Sequence, residues 1–160
     1  VIDRLAAESK QVTQDPEVVK AYADTDLIDF TAWVLSLRRQ TLPFGNQWYS
    51  GLTDARGLHD LAWLQRDGEP LQGDAWRSTE DRVLGCLIGR PGRCRAPLLL
   101  LINPEPVDIL FQLPAGVWRA VLDTSDPRGY GRWQGQGEAP YRIPALSLAL
   151  LAAAGADIHF

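Results

Sequence analysis

The stretch Val83-Leu84-Gly85-Cys86-Leu87-Ile88 and, past a loop of Arg, Pro and Gly, the stretch Pro97-Leu98-Leu99-Leu100-Leu101-Ile102 decide the fold. Each is a short apolar run bounded by turn formers, the pattern of a strand buried on both faces. Neither approaches the ~18 to 20 apolar residues that a membrane helix needs, and neither does Ala145–Ala154.

Working outward, further runs of the same kind appear. Asp60–Arg66 alternates, with Leu61 and Trp63 on one side and Ala62 and Leu64 on the other, and Asp67-Gly68 then supplies a tight hairpin turn. Gly73-Asp74-Ala75-Trp76 reads as a capped helical turn. Val107–Leu113 is a strand that Pro114-Ala115-Gly116 turns back into Val117–Asp123. A long polar loop is expected from there through Gly137, followed by strands at Tyr141–Ile143 and Leu146–Leu151. With a short aromatic strand at Gln47–Ser50, the spacing predicts an antiparallel β-sandwich or barrel.

The segment before Pro43 differs. Asp15-Pro16-Glu17 suits a helix start, with a side-chain cap, a first-turn proline and an acid at the positive dipole end. Asp24-Thr25-Asp26 opens a second helix, on which Leu27, Phe30, Val34 and Leu37 share one face. Arg38 and Arg39 complement its C-terminal end, and Leu42-Pro43 stops it. The division expected is 1–45, helical, and 46–160, a β-sandwich domain.

Composition narrows the function. The 160 residues are 46% apolar and 22% charged, with a net charge of −4, and no basic stripe supports nucleic-acid binding. Val1-Ile2-Asp3-Arg4 carries no initiator Met and no signal-peptide pattern, as expected for a cytoplasmic piece of a longer chain, with removal of a tag as the alternative. Cys86 and Cys94 lack a Cys-x-x-Cys partner or a nearby His, so no metal site is expected. They are read as two reduced, partly buried thiols, with a facing pair across a hairpin as the alternative.

No motif points to catalysis. His59 and His159 lie far apart, the glycines at 129, 131, 135 and 137 lack a strand-then-helix context, and the carboxylates are scattered at turns and caps. No catalytic residue and no cofactor is therefore expected. Six tryptophans are many for this length. Trp63 and Trp118 are expected in the core, and Trp76 as an anchor of its turn. Trp48 with Tyr49, and Tyr130 with Trp133, are candidates for stacking on sugar rings, with ordinary packing as the alternative.

The order of these segments resembles the C-terminal part of the bacterial glycogen debranching enzymes of the isoamylase group. Asp26-Leu27-Ile28-Asp29-Phe30-Thr31-Ala32 through Leu35-Ser36-Leu37-Arg38-Arg39 is similar to the last helix of an α-amylase-type barrel, followed by Pro43 and Gln47-Trp48-Tyr49. Leu61-Ala62-Trp63-Leu64, Asp67-Gly68, Pro70-Leu71 and Asp74-Ala75-Trp76 resemble the run that comes next. The apolar stretches ending at Ile88 and Asn103, the turn Leu113-Pro114-Ala115-Gly116-Val117-Trp118, then Leu122-Asp123-Thr124 and Leu146–Leu151, continue the likeness to about residue 152. Residues 1–25 depart from it.

The resemblance implies a sandwich of the α-amylase C-terminal-domain type. It implies a parent that hydrolyses α-1,6 branch linkages in glycogen and keeps its catalytic acids upstream of this chain. The implied partners are the parent's catalytic barrel and, through it, glycogen. Removed from a barrel, Leu27, Phe30, Val34 and Leu37 would favour self-association.

Overall fold

A computed structural model of the chain describes residues 25–41, 53, 59–78, 82–89, 96–126, 128–131, 133–136 and 139–154. The expected first helix, the strand at Gln47–Ser50, Cys94 and His159 lie outside them. The chain divides into two units, Val1–Leu37 and Arg38–Phe160.

Helix α1 runs Thr25–Thr41, with Arg38 and Arg39 in its last turn as the dipole favours. The Thr31 hydroxyl donates to the Leu27 carbonyl at 2.7 Å, and the rings of Phe30 and Trp33 lie 6.2 Å apart. Its expected apolar stripe is graded: Leu27 is exposed, Phe30 and Val34 are half-buried, and Leu37 is buried. Among the described residues no helix is long and apolar enough to cross a membrane.

The rest is mainly antiparallel sheet. Eight strands are described: β1 (Ala62–Leu64), β2 (Leu84–Ile88), β3 (Leu98–Asn103), β4 (Ile109–Gln112), β5 (Val117–Asp123), β6 (Gln134–Gln136), β7 (Pro140–Ile143) and β8 (Ser147–Ala153). Six form one sheet in the order β1-β2-β3-β8-β5-β6, and β4 pairs with β7 in a second. The two sheets pack as a β-sandwich.

Register explains the packing, because side chains alternate between faces. Gly85 stands opposite Leu101, and Leu87 opposite Leu99. Leu99 stands opposite Leu151, which pairs with Ala120. This row faces Phe111 of β4 and Tyr141 and Ile143 of β7, in one buried cluster with Trp118 and Leu64. At Gly85 the sheets come close together: a Cβ there would meet Cζ of Phe111 at 2.6 Å.

The opposite face of the large sheet is apolar too. Ile88, Leu98 and Ala152 are in register, as are Cys86, Leu100, Leu150 and Leu122, and all but Leu100 are buried. Burial on both faces accounts for the unbroken apolar runs in β2 and β3. Cys86 is a free thiol on this face, and burial raises its pKa.

Three expectations need correction. The polar stretch before Gly137 contains β6, whose Gly135 pairs with Trp118. Its Gln-Gly-Gln sequence has no apolar period to betray it, and the pairing edge of β5 makes it a strand. Gly73–Arg77 is a 3-10 turn whose N-cap residue, Gln72, makes no side-chain cap bond. Trp63 lies outside the core: it pairs with Cys86 on the outer face and is half-buried. Trp118 does sit in the core, with its indole N–H donating to the Pro114 carbonyl at 2.8 Å.

Candidate functional site

Several of the described carboxylates serve turns and ion pairs. Asp60 accepts from the Leu61 amide, Asp67 from Glu69, and Asp126 from Arg128. Asp123 accepts from both the amide and the hydroxyl of Ser125. Glu105 holds Arg82 through two contacts, at 2.8 and 3.2 Å. Asp108 accepts from the Ala145 amide and pairs with Arg142, and these bonds hold its carboxyl below its ordinary pKa. No cluster of three or more His, Cys, Asp and Glu suited to a metal occurs among the described residues. His59 is exposed, in a bridge with Thr53.

The aromatic candidates are placed unequally. Trp48 and Tyr49 lie outside the described residues. Tyr130 is 45% exposed, and its backbone bridges to Leu122. Trp133 is half-buried, edge-to-face with Tyr141 at 4.9 Å, over the space left by Gly135. Its ring thereby closes the β5–β6 edge of the core. Tyr141 is buried with its hydroxyl 3.4 Å from Asp123, and both burial and that carboxylate push its pKa up.

A recess that the sequence did not announce lies at the other end of the large sheet. The β1 turn is closed by bonds from Gln65 to Glu69 and from Gly68 to Gln65, with Gly68 at φ 85°. That conformation favours glycine, and a Cβ there would meet the Gln112 carbonyl oxygen at 2.9 Å. The turn is tied to β4: the Gln112 amide donates to the Arg66 carbonyl at 2.9 Å, and the Arg66 guanidinium to the Leu110 carbonyl at 3.1 Å. Between this turn and the 3-10 turn is a cavity of ≈ 240 Å³, lined by Gln65, Arg66, Leu71, Trp76, Arg82 and neighbouring residues. Trp76 is 52% exposed and stands edge-to-face with Trp63 at 6.0 Å. The one sequence signal was a tryptophan set among polar residues of a short turn, which a core anchor does not require.

The described residues thus form a β-sandwich in which several carboxylates are engaged in turns and ion pairs. The comparisons name the particular relatives. No family model matches the chain. It is similar to the glycogen debranching enzyme of Pectobacterium atrosepticum, at 32% identity over 122 residues, which is 74% of this chain and 17% of that protein. The enzyme of the same name from Pectobacterium carotovorum subsp. carotovorum is 31% identical over 121 residues, 73% of this chain and 16% of the relative. That of Salmonella typhi is 31% identical over 119 residues, 71% and 16% respectively. The chain thus spans about a sixth of the length of these relatives.

Proposed function

We propose that this chain is the C-terminal accessory region of a glycogen debranching enzyme, which hydrolyses α-1,6 branch linkages. Residues 1–45 supply the last helix of the catalytic barrel and residues 46–160 the sandwich. The sandwich packs against the barrel and stabilises it, and the chain contributes no catalytic residue. The observation that carries this is the match of about three-quarters of the chain to about a sixth of enzymes bearing that name.

The physical role is positional. A glycosidase needs its two carboxylates held ~5 to 10 Å apart, and small displacements are costly for rate. A rigid module on the outside of a barrel restrains that geometry. The proposal places the protein in the cytoplasm, with the barrel as direct partner and glycogen reached through it. The chain alone would associate with itself through Leu27, Phe30, Val34 and Leu37.

Deleting the sandwich from a full-length debranching enzyme tests the role. The thermal midpoint and the rate of branch hydrolysis should both fall; an unchanged midpoint and rate would overturn the proposal. A second reading, glucan contact through Trp48, Tyr49, Tyr130 and Trp133, draws support from the exposure of Tyr130.

A further inference from the structure

We infer that the recess between the β1 turn and the 3-10 turn binds one glucosyl unit at the end of an α-glucan chain, with Trp76 as its platform. The choice of an α-glucan rests on the proposed place of this chain in a debranching enzyme. The site itself rests on geometry.

Trp76 presents a large indole in a small cavity while remaining 52% exposed. Exposing this much aromatic surface is unfavourable unless something covers it, and the C–H face of a pyranose is a matching cover. The ring is held in place by the perpendicular contact with Trp63, so stacking on it costs little ordering.

Gln65 and Arg66 line the same recess as Trp76. Arg66 is oriented by its bond to the Leu110 carbonyl, and its two terminal amino groups have no partner among the described residues. The Gln65 amide nitrogen lies 3.5 Å from the Pro70 carbonyl, and its side-chain oxygen accepts nothing among the described residues. Planar donors and acceptors of this kind suit vicinal hydroxyls, each of which donates and accepts.

Charge and size narrow the ligand. Glu105 neutralises Arg82 at 2.8 Å, so the recess does not offer the paired positive charge that an anion would need. A neutral polyol fits better. The volume of ≈ 240 Å³ is below the ~300 to 1,000 Å³ usual for drug-sized ligands, which points to a single ring rather than an enclosed oligosaccharide.

Two measurements on the 160-residue chain test this. In native gels containing glycogen the chain should be retarded relative to glycogen-free gels. Titration with maltoheptaose should shift the indole N–H resonance of Trp76. Trp76→Ala should weaken retardation about tenfold, and Arg66→Met, which keeps the apolar stem, about threefold. Absence of retardation, retardation that survives both substitutions, or maltoheptaose shifts confined to other indoles would overturn the site. Unfolding curves of both variants, expected to stay close to the parent's, separate lost binding from lost folding. None of these failures touches the supporting role, which is decided by the stability of the truncated enzyme.

Discussion

The side-chain amide of Asn103, at the end of β3, donates to the Pro144 carbonyl, just beyond β7, at 2.9 Å. The same nitrogen reaches the carbonyls of Val107 and Ile143, and its oxygen accepts from the Glu105 amide at 3.0 Å. Asn103 is 1% exposed. One buried amide thus joins the large sheet to the small one and orders the β3–β4 connection.

Replacing Asn103 by Ala should cost about 2 to 4 kcal/mol in urea unfolding, because several buried backbone groups lose their partner together. Asn103→Asp should cost more at neutral pH, since a carboxylate would then face carbonyl oxygens. A loss under about 0.5 kcal/mol for Asn103→Ala would mean that the clamp is not a stabilising feature.

Gly85 leaves room for the ring of Phe111 between the sheets. Gly85→Ala should destabilise by about 1 to 3 kcal/mol through overpacking. Phe111→Ala, at a fully buried ring, should cost about 3 to 5 kcal/mol. Pairing Gly85→Ala with Phe111→Leu should cost less than the two single effects summed, as a double-mutant cycle would read.

Tyr141 links stability to alkaline pH. Its folded pKa lies above the ordinary value, so its contribution is complete below about pH 10. Above that the unfolded tyrosine ionises while the folded one stays protonated, and stability falls by at most about 1.4 kcal/mol per pH unit. Tyr141→Phe should lack this component; identical alkaline slopes for the two proteins would refute it.

Asp108 gives the opposite dependence. Its folded pKa is lowered by the Ala145 amide and by Arg142, so its contribution is complete above about pH 4 and disappears as pH falls towards the lowered value. The stability gap between the wild-type chain and Asp108→Asn should therefore close in acid. A gap that persists unchanged at pH 2 would exclude this assignment.

How much was legible in the sequence varied with the element. β2, β3 and β5 announced themselves through apolar runs between turn formers, and α1 through its 3.6-residue spacing and terminal arginines. The turn at Asp67-Gly68 was readable because only a positive φ closes it tightly. β6 carried no signal, since a strand of Gln and Gly exists only where a neighbour offers an unpaired edge.

The candidate site was the least legible part. Trp76, Arg66 and Gln65 come together because the β1 turn bonds to β4 and a 3-10 turn stands beside it. Trp133 looked equally available in the sequence, and its half-buried ring stands edge-to-face with Tyr141.

The sequence by itself therefore determined most of the strand segments, β6 excepted, and that they form an antiparallel, sheet-built body, because alternation, apolar runs and turn chemistry are local. Tertiary structure alone decided which face each strand turns inward. A bulge between Ala120 and Leu122 shifts the register of β5, sending Leu122 outward and Asp123 inward beside Tyr141. Such a choice depends on pairing between strands far apart in the chain, where a shift of one residue reverses every side chain, and no local pattern records it.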